Sequence, residues 1–420
     1  MRVLLLDAQR PALRLAIEAK LRAANSWTVI ASNDEPGLFL TSQLAELQDP
    51  FCVILRGTDQ IGDGFAASVE SWLSQIPPDS PGLALRCSDD CEPVPVVWRL
   101  SAIRRAGWAS PASLPWRSLI LTELYGRLGG KQTWHIRSSG QLFSLGRAAG
   151  GSESHALARI GAMLSAVPPV RSAAAAPRIS IVLCTYNDAT HLPLAIRSVI
   201  VQETADWQLI LVDDGSEDET ARLLDSYRED PRIHFIRHES NRGKSAALNT
   251  ALAAVEAPWL LELDADDWLD PQALTSLLRH AEAASAETAL IYGVHEEWRE
   301  TRSGGLRYTG RRSPAPHRRQ LLGTGYPVAP RLYRTAMLRE SGGWPVDDPY
   351  GGRLYEDFRM LLELGRRYRL LDCGECCYHR RWRRSGISSR HREQFVAWAD
   401  WLAEQERLGC RQTEVRDVSE

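Results

Sequence analysis

Between residues 178 and 270 the chain alternates strand-length apolar runs with helical patterns, and each main run stops on a polar or acidic cluster. Ile179-Ser-Ile-Val-Leu-Cys184 leads into Thr185, Tyr186, Asn187 and Asp188, and apolar residues then recur at helical spacing at Leu194, Ile196, Val199 and Ile200. Trp207-Gln-Leu-Ile-Leu-Val212 stops at Asp213-Asp214-Gly215-Ser216. A helical stretch near Glu219 to Tyr227, a strand at Ile233 to Ile236, the loop Asn241-Arg-Gly-Lys244 and a helix through Ala246 to Val255 follow. Trp259-Leu-Leu-Glu-Leu263 then ends in Asp264-Ala265-Asp266-Asp267. Continuous apolar runs suit strands covered on both faces, so the order predicts a parallel α/β sheet. Ligands of open α/β sheets sit beyond the carboxyl ends of the strands. The acidic clusters fall there, on one rim.

A chain of 420 residues exceeds one ordinary domain and suits two. The seam is Ser165-Ala-Val-Pro-Pro-Val-Arg-Ser-Ala-Ala-Ala-Ala-Pro177, which carries no amphipathic pattern and reads as a linker. The expected organisation is an α/β domain over 1–165, a linker over 166–177, a second domain over 178–395 and a C-terminal helix and tail over 396–420. A net charge of -3 argues against a polyanion binder, so nucleic acid is not an expected partner. No apolar run approaches the roughly 20 residues that span a bilayer. Asp7 arrives too early for a secretory signal, which predicts a cytoplasmic location. Eight cysteines in a chain of this length do not make a disulfide scaffold. Cys373, Cys376, Cys377 and His379 superficially resemble a metal knuckle; the plainer expectation is a short buried strand where cysteine serves as a small apolar residue.

The two halves share an order of segments. Leu13-Arg-Leu-Ala-Ile17, Trp27-Thr-Val-Ile30 and Asn33-Asp34 parallel Leu192-Pro-Leu-Ala-Ile196, Trp207-Gln-Leu-Ile210 and Asp213-Asp214. Pro50-Phe-Cys-Val-Ile-Leu55 parallels Pro258-Trp-Leu-Leu-Glu-Leu263, and Trp98 to Trp108 parallels Tyr333 to Trp344. This predicts a divergent internal repeat with shortened loops in the first copy.

Carboxylates as crowded as Asp264, Asp266 and Asp267 raise one another's pKa unless a cation or hydrogen-bond donors neutralise them. A divalent ion held by one or two carboxylates plus substrate phosphate oxygens is one solution; a solvated loop ahead of the helix that starts at Asp270-Pro271 is the other. Glu356-Asp357 opens a helical pattern through Phe358, Leu361, Leu362 and Leu364, where an acidic pair also suits the helix dipole.

Taken in order, these motifs resemble family 2 glycosyltransferases of the GT-A fold. The likeness covers roughly 210 residues, with a strand into Thr185-Tyr186-Asn187, Val212-Asp-Asp-Gly-Ser216, Asn241-Arg-Gly-Lys-Ser-Ala-Ala-Leu-Asn249, the Asp264-Ala-Asp266 strand end and the late Glu356-Asp357 pair. The resemblance implies a Rossmann-like, nucleotide-diphospho-sugar transferase domain preceded by a smaller, degenerate GT-A-like α/β domain. It implies an inverting transferase using a nucleotide sugar, UDP-linked by preference, with Mn²⁺ or Mg²⁺. Thr185, Tyr186, Asn187, Asp213 or Asp214, and Lys244 would contact the donor nucleotide, Asp264 its ribose and Asp266 the metal. Asp357, beside Glu356, would be the base that takes the acceptor hydroxyl's proton.

One departure concerns the family's Y-x-Y-R-x-H-x-x-S-x-S pattern. Here Tyr378-His-Arg-Arg-Trp-Arg-Arg-Ser-Gly-Ile-Ser388 puts Arg383 in the histidine's place, so Arg383 would meet the diphosphate directly. Arg380, Arg381, Arg383, Arg384 and Arg390 also suit a peripheral contact with an anionic membrane face, worth on the order of 1 kcal/mol per basic residue, or a solvated basic face. Arg311, Arg312, His317, Arg318 and Arg319 suit a mobile loop over the site. Glycan, lipid-linked and peptide acceptors all fit, and polysaccharide biosynthesis is the expected setting. In the first copy Arg56 and Thr58 replace Asp264 and Asp266, and Ile120-Leu121, or Thr122-Glu123 after a slip of two, falls at Glu356-Asp357. That copy is expected to be catalytically silent. A pair of GT-A modules used for scaffolding, and a nucleotidyltransferase, are the competing readings; the second expects a glycine-rich turn after the first strand, where Cys184 to Asp188 has no glycine.

Overall fold

The computed structural model describes residues 1–6, 11–22, 27–31, 36–56, 59–87, 93–105, 121, 124–125, 128, 133–144, 176–225, 227–228, 230–300, 306–313, 328–383, 386, 391 and 393–416. The chain divides into two compact units. One comprises Met1–Arg171, Ala189–Glu203 and Thr301–Tyr308; the other comprises Ser172–Asp188, Thr204–Glu300 and Thr309–Glu420.

The first unit holds β1 (Arg2–Leu6), β2 (Thr28–Ala31), β3 (Phe51–Arg56), β4 (Gln60–Ile61), β5 (Gly82–Arg86), β6 (Val94–Arg99), β7 (His135–Ser138) and β8 (Phe143–Ser144). Six of them form a sheet in the order β2-β1-β3-β6-β5-β7. Strands β1 and β3 are apolar on both faces because both faces are covered. Val3, Leu5, Val53 and Leu55 enter one buried cluster, while Leu4, Leu6, Cys52 and Ile54 enter another with Trp98 and Trp134.

The second unit holds β9 (Ile179–Thr185), β10 (Trp207–Asp213), β11 (Ile233–Arg237), β12 (Trp259–Glu262), β13 (Trp268–Leu269), β14 (Thr288–Glu300), β16 (Arg331–Arg334) and β17 (Arg369–Trp382), while β15 (Leu306–Arg312) pairs with β14. The strand order is β11-β10-β9-β12-β16-β14-β17-β13. The expected parallel core is present, with β9 flanked by β10 and β12. Helices Lys244–Ala253, Ala273–Ala283 and Glu356–Arg367 connect strands of the sheet. The C-terminal helix, Gln394–Arg416, belongs to this unit: Trp398 and Leu402 lie in the same buried cluster as Leu260, Tyr333 and Phe358.

The two sheets share their wiring. The first-unit order β2-β1-β3-β6-β5-β7 and the second-unit order β10-β9-β12-β16-β14-β17 have the same strand sense at all five junctions: parallel, parallel, antiparallel, antiparallel, parallel. Registers agree as well. Phe51 lies opposite Arg99 and Cys52 opposite Trp98, as Trp259 lies opposite Arg334 and Leu260 opposite Tyr333. The Arg99 guanidinium covers Phe51 at 4.6 Å, and that of Arg334 covers Trp259 at 4.4 Å. The turn after β3 also recurs, since the Asp59 N–H donates to the Arg56 carbonyl as that of Asp267 donates to the Asp264 carbonyl.

Three expectations change. The cysteine-bearing strand is long, not short: β17 has 14 residues, with Cys377 buried but Cys373 and Cys376 half-buried. Arg311 and Arg312 do not stand in a loop; they lie on β15 and pair with Glu296 and Glu297. Arg380, Arg381 and Arg383 make no basic face either, for Arg380 pairs with Glu297, Arg381 is buried, and Arg383 pairs with Asp266 and Asp188. The linker through residue 175, Thr58, Ile120, Thr122, Glu123, His317, Arg318, Arg319, Arg384 and Arg390 lie outside the described residues. Among the described residues, no helix is long and apolar enough to cross a membrane.

Candidate active site

The carboxyl ends of β9, β10 and β12 carry the clusters read from the sequence, and hydrogen bonds tie them into one rim. At the end of β9 the Asn187 N–H donates to Ser216 Oγ (2.9 Å), and the Asn187 side-chain carbonyl accepts from the N–H of Glu217 (2.8 Å). Asn187 thus joins two loops and takes a left-handed conformation, φ 50°, which asparagine tolerates. Tyr186 beside it is 45% exposed, enough for its ring to receive a planar base. Thr185 is buried, and its hydroxyl has no partner among the described residues.

Asp213 and Asp214 have different work. Asp214 accepts from the backbone of Arg242 (2.9 Å) and Gly243 (2.8 Å) and is 2.6 Å from His238 Nδ1, so it pins the loop ahead of Lys244. Asp213 Oδ1 accepts from the Ser216 N–H (2.9 Å), while Oδ2 has, among the described residues, only Arg237 at 3.4 Å. Of the pair, Asp213 retains acceptor capacity for a ligand.

The end of β12 meets the start of the helix Glu356–Arg367 through two cations. Lys244 Nζ reaches Asp264 at 2.5 Å, Glu356 at 2.8 Å and Glu262 at 3.3 Å. The Arg331 guanidinium, 2% exposed, donates to both oxygens of Glu262 (3.0 and 2.9 Å) and to Asp264 (3.0 Å), and lies 3.6 Å from Asp357. Glu262 and Arg331 are directly opposed across β12 and β16. Neither was singled out from the sequence. The signal was there, since one acid in the apolar run Leu-Leu-Glu-Leu must find a cation when both faces are covered.

These neighbours set the charges. Burial pushes the Asp264 carboxyl up, but Lys244 and Arg331 outweigh it and hold it well below the usual carboxylate range. Glu356 is pushed up to about 7 by burial, with Asp357 and Glu262 adding and Lys244 opposing. Asp357 is raised by burial despite Arg331 and Lys244, the direction a general base requires. Its Oδ1 accepts from the Phe358 N–H at 2.9 Å.

The three acids after β12 divide as well. Asp267 is buried, accepts from the Tyr378 hydroxyl (2.8 Å) and the Arg381 N–H (2.7 Å), and is raised well above its usual value by burial and then by Asp266 and Asp264. Asp264 is bound to Lys244 and Arg331. Asp266, partly exposed like Asp264, has its Oδ2 2.9 Å from Arg383 Nε, and the same guanidinium meets Asp188 at 3.1 Å. Among the described residues no three His, Cys, Asp or Glu side chains form a cage for a metal ion. A hard divalent cation that keeps one protein carboxylate and takes its other ligands from diphosphate oxygens and water fits Asp266 without such a cage. His379 is committed elsewhere: its ring stacks on Trp268 at 5.2 Å, Nε2 is 3.0 Å from Asp270, and Nδ1 accepts from the Trp298 indole N–H (3.1 Å).

Part of the chain is similar to known proteins. Residues 180–342 match the family model Glycosyl transferase family 2. The chain is 34% identical over 114 residues to the succinoglycan biosynthesis protein ExoO of Rhizobium meliloti, covering 27% of this chain and 32% of that protein. It is also 34% identical over 99 residues to the chondroitin synthase of Escherichia coli, covering 23% and 14%. The chain thus spans about a third or less of each of these relatives. Among solved structures it is similar to S. aureus TarS 1-349 in complex with UDP-GlcNAc (18% identity, TM-score 0.39, 50% of this chain and 60% of that one). It is similar too to the mannosyltransferase PcManGT from Pyrobaculum calidifontis in complex with GDP-Man and Mn²⁺ (17% identity, TM-score 0.41, 61% and 72%). The motifs from Thr185 through Asp266 on the rim of this sheet lie within residues 180–342, the segment that matches the glycosyl transferase family 2 model.

Proposed function

We propose that the second unit is an inverting glycosyltransferase that moves a sugar from a nucleoside-diphosphate donor, UDP-linked by preference, to an acceptor hydroxyl. The observation that carries this is the junction of Asp357 with the donor rim: a buried carboxylate with raised affinity for protons, joined through Arg331 to Asp264. Tyr186 would face the base, Asp213 and Asp264 the base and ribose, and Thr185 would offer its hydroxyl to the nucleotide. Lys244 would keep Asp264 ionised, and Asn187 would hold the loops in place.

Asp357 takes the proton of the acceptor hydroxyl as its oxygen forms a bond to the anomeric carbon; the bond from that carbon to the diphosphate oxygen breaks with its electron pair. One displacement inverts the configuration. Mn²⁺ or Mg²⁺ would be held by Asp266 and diphosphate oxygens, and when bound supplies Lewis-acid neutralisation of the leaving group. Arg383 would pair with the diphosphate directly.

Relatives that make succinoglycan and chondroitin favour a glycan acceptor in polysaccharide biosynthesis over a peptide, with a lipid-linked glycan as the variant of the same chemistry. A cytoplasmic site suits a nucleotide-sugar donor. A membrane contact through Arg380, Arg381 and Arg383 is not part of this reading, because their carboxylate partners and burial draw them inward.

The first unit is read as a degenerate copy that has lost the donor site. Continuing the shared numbering along β3 puts Ile54 where Glu262 stands and Arg56 where Asp264 stands. The Arg56 backbone and guanidinium both bind Asp59, so the turn persists with its charge reversed.

The test is a screen of UDP-GlcNAc, UDP-glucose, UDP-glucuronate and GDP-mannose for donor turnover with Mn²⁺ and Mg²⁺, in wild type and Asp357→Asn. Turnover of one donor, abolished by EDTA and lowered about 10²–10⁴-fold by the substitution, is expected. Turnover indifferent to both would refute the mechanism.

A further inference from the structure

Among the described residues two non-glycines take positive φ, and both lie at this site: Asn187 and Tyr355, the latter at φ 62° and ψ 22°. Asparagine adopts this region readily, but a bulky aromatic does so at a cost of roughly 1–2 kcal/mol. Tyr355 is also the N-cap of the helix Glu356–Arg367, a position that usually has extended backbone and a capping side chain; Tyr355 has neither. Surrounding structure has to hold such a residue in place.

The C-terminal segment does so. The Tyr355 ring lies 5.2 Å from Phe395 and 5.2 Å from Trp398, both near the start of the helix Gln394–Arg416, and 6.1 Å from Tyr350. Its hydroxyl donates to the His391 carbonyl. Phe358 meets the same residues, Phe395 at 5.2 Å and Trp398 at 6.5 Å. Trp398 is fully buried. The segment from His391 to Trp398 therefore grips the residue before the Glu356–Asp357 pair and the residue after it.

We propose that Tyr355 is a positioning residue for Asp357, locked by the chain from His391 through Trp398. Proton abstraction then depends on a segment well outside the family-matched region 180–342. The inference rests on the base role proposed for Asp357. Its physical basis is that Phe395 and Trp398 hold Tyr355 and Phe358 together, which fixes where the first helical turn, and with it the Asp357 carboxylate, stands. Released from the aromatic clamp, Tyr355 relaxes toward extended backbone and swings the Asp357 carboxylate from its place 3.6 Å from Arg331. Misplacement on the order of 1 Å costs about 10²-fold in rate.

The test uses the full chain with the donor identified by the screen, and UDP as a binding probe. Tyr355→Ala and Phe395→Ala are expected to lower kcat roughly 10–100-fold with donor KM and UDP affinity unchanged. Tyr355→Gly should be as slow as Tyr355→Ala, because glycine permits the backbone conformation but supplies no ring to clamp. In an Asp357→Asn background Tyr355→Ala should add no further loss, since it acts through that carboxylate. Should Tyr355→Ala not fold, Tyr355→Phe and Phe395→Leu provide the same comparison at smaller amplitude. An unchanged kcat, a parallel loss of UDP affinity, or an undiminished effect in the Asp357→Asn background overturns the inference. Wild-type protein that turns over none of the donors sinks the transferase reading instead, and this inference with it.

Discussion

Replacing Arg331 by methionine removes three hydrogen bonds to carboxylates, two to Glu262 and one to Asp264, and one to the Val328 carbonyl at 2.9 Å. Glu262 is 1% exposed and would be left as a buried charge with Lys244 at 3.3 Å and the Tyr333 hydroxyl, also at 3.3 Å. Breaking a buried pair in this way typically costs about 3–5 kcal/mol, and Glu262→Leu should cost as much from the other side. The double variant should cost less than either single one, because an apolar pair of similar volume leaves no uncompensated charge between these strands. Recovery stays incomplete, since Asp264 and Asp357 also lose their guanidinium; because the double costs less than either single, a coupling energy of at least about 3 kcal/mol is expected. Native-state hydrogen exchange of the β12 and β16 amides reads this unit without averaging over the other. Single variants within about 1 kcal/mol of wild type, on the same scale, or a double variant equal to the sum of the singles, would refute the reasoning. Transfer should be lost in all three.

Asp266→Asn should raise the Mn²⁺ concentration for half-maximal turnover at least about tenfold, a range typical when a ligand shell is damaged, whereas Asp264→Asn should weaken UDP binding with little change in metal dependence. A metal titration unchanged in Asp266→Asn counts against its assignment. For Glu356 the ordinary value is 4.5 and the folded value about 7, so the folded protein holds the proton more tightly. Its contribution to stability is full below pH 4.5, falls as the pH rises toward about 7, and is constant beyond. Glu356→Gln should therefore flatten the decline of Tm across that window. Parallel Tm curves for variant and wild type would contradict the sign.

The sequence by itself determined the parallel core of the second unit and the residues on its rim, because covered strands must be apolar throughout and an acid cluster at a strand end stands out against them. The segments read from the sequence as a repeat, 27–30 with 207–210 and 50–55 with 258–263, fall on strands that occupy the same place in the order of the two sheets. What only the tertiary structure decided is how the charges pair. Asp264, Asp266 and Asp267 sit within four positions, yet one is bound to Lys244 and Arg331, one meets Arg383, and one is sealed under Tyr378. Their partners lie up to 117 residues away. Arg380, Arg381 and Arg383 look like a basic face in sequence and turn inward in the fold for the same reason: a charge takes its role from which side of a strand it leaves and what stands opposite. That is fixed by register between strands distant in the chain.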